Sequence, residues 1–306
     1  MNCSKAMIRF RSSDGKSWIS GHFYAPIQGE IRAILQISHG MCEHIGRYEP
    51  MIDVLCGAGF AVFGNDHLGH GDTEHPGLFA EEKGFQLVLR DLKTMNALGR
   101  RVWPEKQVIL LGHSMGSFFA RWFAEQYPDA LDALVISGTG GPGVLPQFGV
   151  GMASILASAY GPKHRSRFMI QASTGGYSSG IEDATSRSAW LSHDPEVWKA
   201  YDEDPKCGFS FTVSAYRDML TVYNHVNTPG WAARLRKDLP VYLYSGDQDP
   251  VGENGKGVKA VYKLLQNAGM EDVSLKLYPG GRHERHNELN KEEVFADLIA
   301  WCDAHI

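Results

Sequence analysis

From about residue 33 onward, short β-branched and aliphatic runs alternate with longer stretches whose apolar positions recur every three to four residues. That change of period predicts strands and helices in turn. Strands are predicted at 33–38, 60–65, 107–111 and 131–137, and helices at 48–57, 84–101 and 117–125. Two earlier strands, 7–11 and 18–24, flank a segment whose Asp14-Gly15 pair is a hairpin turn signal. Repeated strand–helix units need crossover connections. The pattern therefore predicts an α/β fold with a mostly parallel central sheet and helices on both faces.

At residue 138 the rhythm breaks. The segment 138–237 has no strong strand signal and is rich in Gly, Ser, Pro, Trp and Tyr; the alternation resumes with a strand at 240–244, a helix at 257–268, a strand at 273–278 and a helix at 292–304. Structureless connections of that length are uncommon, so the segment reads as an inserted, largely helical cap, 138–237, on a core made of 1–137 and 238–306. Within it, 149–160 is apolar or small almost all round, which predicts a buried helix.

The 306 residues fit one large domain with an insertion, and 43% hydrophobic with 21% charged residues is a globular composition. A net charge of -5 without a basic, aromatic-interleaved cluster argues against a nucleic-acid partner. Five scattered cysteines without C-x-x-C spacing suggest neither a disulfide framework nor a zinc site, and fit a reducing, cytoplasmic setting. The N-terminus carries no apolar signal core, and the longest apolar run, 150–160, is too short to span a bilayer. Oligomeric state leaves no mark in the sequence.

Between the strand at 107–111 and the helix at 117–125 lies Gly112-His113-Ser114-Met115-Gly116. A strand, a G-x-S-x-G turn and a helix make a nucleophile elbow, with the serine hydroxyl at the carboxyl end of the sheet. Such a serine needs a base within hydrogen-bond reach and an acid behind the base. Two later strand ends supply candidates: Asp247 and Asp249 after 240–244, then His283 after 273–278. Asp249 is assigned as the acid and His283 as the base, in the chain order of α/β-hydrolases. Asp247 can instead bind amides of its own turn, and His286 competes with His283. Backbone N–H groups of Met115 and Met41 are the candidate oxyanion donors.

Three segments resemble monoacylglycerol lipases and the related lysophospholipase-like hydrolases: His39 to Tyr48, as H-G-x-x-E-H-x-x-R-Y; Asp66 to Gly71, as D-x-x-G-H-G; and the G-H-S-M-G elbow. The resemblance runs from about 34 to 301 and fades inside 138–237. It implies an α/β-hydrolase fold and a carboxylic ester hydrolase with Ser114, Asp249 and His283 as triad. It also implies that Glu43, His44, Arg47, Asp66 and His70 brace the surrounding loops. The expected partner is a small-molecule or lipid ester, with His113, Met152, Ile155 and Phe209 as candidate substrate contacts. The mechanism requires no cofactor and no metal.

Rival patterns are weaker. The histidine-rich stretch 66–75 lacks H-x-H-x-D-H, and 283–286 is one residue short of H-E-x-x-H. A literal G-x-G-x-x-G at 138–143 contains Pro142 and is followed by Pro146, and the two prolines are expected to interrupt the helix a dinucleotide would need. Acyl transfer or amide hydrolysis by the same triad, or a non-catalytic binding protein on the same fold, remain as alternatives.

Overall fold

A computed structural model describes residues 2–182 and 184–306. Its core is built from β1 (Cys3–Arg11), β2 (Trp18–Pro26), β3 (Ala33–Ser38), α1 (Glu49–Gly57), β4 (Phe60–Asn65), α2 (Gly84–Val102), β5 (Val108–His113), α3 (Met115–Gln126) and β6 (Ala133–Ser137). Five helices follow before the sheet resumes: α4 (Leu145–Tyr160), α5 (Arg167–Thr174), α6 (Pro195–Glu203), α7 (Val213–Val226) and α8 (Pro229–Arg234). The chain closes with β7 (Val241–Gly246), α9 (Lys256–Asn267), β8 (Val273–Tyr278) and α10 (Lys291–Asp303).

The strands form one eight-stranded sheet in the order β1-β2-β4-β3-β5-β6-β7-β8. β1 and β2 join antiparallel, and every pairing from β4 to β8 is parallel. Both faces are covered, and successive residues of a strand alternate between them. Ile109, Leu111, Val135 and Tyr242 pack with Met51 and Leu55 of α1 and with Val294 and Leu298 of α10. Leu110, Leu134, Ile136 and Leu243 face the other way, toward Phe119 and Phe123 of α3 and Val258 and Val261 of α9. Because these strands are parallel, the loops that follow β3, β4, β5, β6, β7 and β8 emerge along one edge.

Three expectations are corrected. β1 begins at Cys3 rather than residue 7: its pairing with β2 runs from Cys3 opposite Pro26, through residues whose exposed side chains carry no apolar alternation. The helix expected at 48–57 is α1, Glu49–Gly57, preceded by a 3-10 turn at Ile45–Tyr48. The helix at 149–160 starts earlier, at Leu145, with Pro146 in its first turn, where the missing N–H has no intrahelical partner to lose. Nor is it buried: Ala153 is covered, but Phe148 and Ile155 are 71% and 64% exposed. Uniform apolarity left its orientation unspecified. Among the described residues no helix is long and apolar enough to cross a membrane.

Candidate active site

Ser114 joins β5 to α3 with φ 53° and ψ −124°, a conformation that L-residues adopt only under constraint. Its N–H is held by the Ser137 carbonyl at 2.9 Å. The flanking glycines are dictated by space. A Cβ at Gly116 would lie 2.0 Å from the Ser38 carbonyl oxygen, and one at Gly112 would lie 2.5 Å from the Gly116 oxygen.

Asp249 and His283 come from the loops after β7 and β8 and are both buried. His283 Nδ1 lies 2.9 Å from Asp249 Oδ1, which also accepts the Val251 N–H at 2.9 Å, while Oδ2 accepts the Ser245 hydroxyl at 3.0 Å. With Nδ1–H donating to the carboxylate, His283 keeps Nε2 as its acceptor. Burial opposes charge on this imidazole, but Asp249 more than offsets it and the pKa is raised above the ordinary 6.5. The two loops are in backbone contact, since a Cβ at Gly246 would lie 1.8 Å from the Gly281 oxygen. Asp247 accepts the Gly280 N–H at 2.7 Å, so it ties its loop to the histidine loop rather than serving its own turn.

His286 lies elsewhere. Its ring stacks on Tyr48 at 4.5 Å, and burial, helped by His113, pushes its pKa down to about 3. His113 is itself buried between the two, 4.7 Å from the His283 ring and 4.8 Å from that of His286. It therefore sits beneath His283 rather than on an open wall. Above His283 is Trp190, from the chain between α5 and α6, with ring centroids 4.8 Å apart, and Tyr177 packs on Trp190 at 4.9 Å. Trp190 is legible in the sequence only as one aromatic among many, and Tyr177 carries no signal at all.

The Gly40-Met41 segment lies against the serine: a Cβ at Gly40 would be 3.3 Å from Ser114 Cβ. Among the described residues neither the Met41 nor the Met115 N–H has a hydrogen-bond acceptor, and Met115 opens α3, where N–H groups lack intrahelical partners. Glu43 holds this segment, accepting the Gly40 N–H at 2.5 Å and the Tyr48 hydroxyl at 2.7 Å. Arg47 bridges Glu43, at 2.7 Å, to both oxygens of Glu284, at 2.5 and 2.7 Å. One guanidinium thus joins the loop after β3 to the loop carrying His283. Burial alone would raise the Glu284 carboxyl, but Arg47 holds it well below the ordinary carboxylate range.

Asp66 accepts the Ile45 and Asp72 N–H groups, and His70 is enclosed by Phe79, Phe209 and Phe211. Phe209 is half-buried, and its carbonyl accepts the Cys42 thiol at 2.9 Å, so its segment rests on the Met41-Cys42 loop. Met152 and Ile155 are 40% and 64% exposed on α4. His44, Asp204 and Cys207 approach one another as metal ligands would. His44 Nδ1 accepts the Gly46 N–H, so Nε2 carries the proton directed at Asp204, and burial pushes the Cys207 thiol far up.

A family model described as serine aminopeptidase, S33 (Hydrolase_4) matches residues 29–290. The monoacylglycerol lipase of Mycolicibacterium smegmatis is 28% identical over 275 residues, 90% of this chain and 89% of that one. The monoglyceride lipase of Rattus norvegicus is 26% identical over 300 residues, 96% of this chain and 89% of its own. Among solved structures, a thermostable carboxyl esterase from Bacillus coagulans in complex with glycerol superposes with a TM-score of 0.93 at 29% identity, covering 99% of each chain. Matched over most of its length and built on an eight-stranded, mostly parallel sheet, the chain belongs to the Hydrolase_4 family of α/β-hydrolases.

Proposed function

We propose that this chain is a carboxylic ester hydrolase that works through an acyl-enzyme on Ser114. The observation that carries the reading is the buried His283–Asp249 pair, at 2.9 Å, set at the same sheet edge as a serine held at φ 53°. Ser114 Oγ attacks the ester carbonyl carbon and passes its proton to His283 Nε2. The oxyanion is received by the Met41 and Met115 N–H groups. Collapse breaks the acyl–oxygen bond, and the leaving alcohol takes the proton back from His283; water then repeats the sequence and frees the acid. Asp249 fixes the imidazole tautomer and balances its charge. No cofactor enters.

The chain between β6 and β7, residues 138–237, acts as the cap over the site, with Trp190 from this segment lying on His283. The substrate class is an ester with one fatty or short acyl chain, monoacylglycerol or lysophospholipid-like. This rests on the likeness to monoacylglycerol lipases and a carboxyl esterase along nearly the whole chain. Five free cysteines support a cytoplasmic setting. Amide cleavage is the second reading, favoured by the aminopeptidase description of the matched family.

The test is a p-nitrophenyl ester series, with matched anilides, run on wild type and Ser114→Ala together with fluorophosphonate labelling. Wild type is expected to be labelled, to show an acyl-length optimum and to prefer esters; Ser114→Ala is expected to lose labelling and at least about 10⁴-fold in kcat. A folded wild type that resists labelling, or a Ser114→Ala variant that keeps its rate, overturns the reading. Preference for the anilides selects the second one.

A further inference from the structure

On the buried face of the nucleophile helix α3 is an arginine that the proposed chemistry does not use. Arg121 is completely buried, and among the described residues it meets no carboxylate; its partners are all neutral oxygens. One guanidinium nitrogen lies 3.3 Å from Thr139 Oγ1 and 3.3 Å from the Gly140 carbonyl. The other donates to the Val226 carbonyl and, at 3.0 Å, to Asn227 Oδ1. The guanidinium also stacks on Trp231, 4.4 Å from the ring centroid. Thr139 and Gly140 are where the inserted segment leaves β6, and Val226 and Asn227 are where α7 turns toward α8. One side chain therefore ties the start of the insertion to its α7–α8 turn.

The same network reaches Ser114. Residues 114, 117 and 121 share a face of α3. Ser117 Oγ lies 2.5 Å from the Ser114 carbonyl and 2.7 Å from Thr139 Oγ1. Ser117 has one hydroxyl proton for two oxygen neighbours, and Arg121 can only donate. Ser117 is the donor toward both the Ser114 carbonyl and Thr139, and Thr139 Oγ1 accepts from Ser117 and from Arg121, so this one hydroxyl oxygen ties the guanidinium to the turn that carries Ser114. The contacts run unbroken from a buried cation to the backbone of the elbow. Burying a cation without a counter-charge is expensive, and a well-packed apolar side chain would fill the site at lower cost.

We infer that Arg121 is a positioning residue, which through Thr139 and Ser117 sets the elbow holding Ser114 while tying the start of the insertion to its α7–α8 turn. The inference rests on Ser114 being the nucleophile. It is tested with Thr139→Val, nearly isosteric but without the linking oxygen, with Thr139→Ser, which restores the hydroxyl, and with Arg121→Met. The readouts are the rate constant for Ser114 phosphonylation by a fluorophosphonate, kcat and KM on a p-nitrophenyl ester, and the melting temperature, taken well below melting on protein that circular dichroism shows to be folded.

Thr139→Val is expected to slow phosphonylation and lower kcat by roughly tenfold or more with KM within about twofold, and Thr139→Ser to recover most of both. Arg121→Met, if folded, is expected to lose at least as much as Thr139→Val. If Arg121→Met does not fold, the threonine pair decides alone. Variants that melt earlier but react at the wild-type rate overturn the inference, as does a Thr139→Ser variant no faster than Thr139→Val. A wild type that is never labelled refutes the nucleophile assignment instead, so the two failures are distinguishable.

Discussion

Replacing Arg47 with methionine keeps the length of the side chain and removes the one cation between two buried carboxylates. The side chains of Arg47, Glu43 and Glu284 are 10%, 3% and 2% exposed, so solvent screens their interaction little. Three charge-assisted hydrogen bonds at 2.5–2.7 Å are lost, and two carboxylates are left facing each other. Breaking a buried pair from one side costs about 3–5 kcal/mol. For a chain of 306 residues that is a fall in Tm of about 5–8 °C.

The pH dependence is the sharper test. In wild type the Glu284 carboxyl lies below its unfolded value, so it contributes stability that is present above that value and lost as pH falls through the folded one. In the variant the same carboxyl is buried without its cation, its folded pKa rises, and stability is lost as pH rises. Thermal melts of both proteins from pH 5 to pH 8 should therefore show a gap that widens toward pH 8. A constant gap, or one that widens toward acid, would refute the reasoning. Activity should fall as well, because the Met41 loop and the His283 loop lose their common strut.

The remaining expectations concern the base, the metal-like cluster and one helix cap. Since His283 must be neutral to accept a proton and its pKa is raised, the acid limb of kcat/KM should have its midpoint above pH 6.5. Asp249→Asn should lower that midpoint and cost about 10⁴-fold in kcat; a wild-type midpoint below 6 contradicts the pairing. Exhaustive dialysis against EDTA should change neither the ester rate nor Tm, and a loss restored by added zinc would show that His44, Asp204 and Cys207 bind a cation after all. Asp218 of α7 accepts the Gly84 N–H at 2.9 Å and so caps α2, whose own preceding residue, Lys83, has no capping side-chain bond. Asp218→Ala should cost about 1–2 kcal/mol, read as a lower urea midpoint at unchanged m-value.

The sheet is the most legible part of the chain. β3 and β4 begin and end where their apolar runs do, because a strand buried on both faces tolerates little else. β1 extends beyond its legible part because Ser4, Lys5 and Ala6 are exposed and lie in the sheet through pairing with β2 rather than through an apolar face. Asp249 and His283 were readable as residue types at successive strand ends. Their 2.9 Å meeting depends on β7 lying beside β8 with Gly246 opposite Tyr278, which no local pattern encodes. Trp190 on His283 and the buried Arg121 of α3 were illegible for the same reason. Each depends on a contact between distant segments, and an arginine in a helix pattern reads as a solvated residue until the fold closes over it.

The segment between β6 and β7 also has a second duty. These strands are parallel neighbours, so the chain must leave at the top of one and return to the bottom of the other. The return is made by α7 and α8, whose Val222, Val226 and Trp231 are fully buried in the core cluster that contains α3. A chimera that takes a relative's sequence only for 141–212 keeps this descending limb and its grip on Arg121. One that exchanges everything from 138 to 237 replaces part of the sheet's own scaffolding along with the roof.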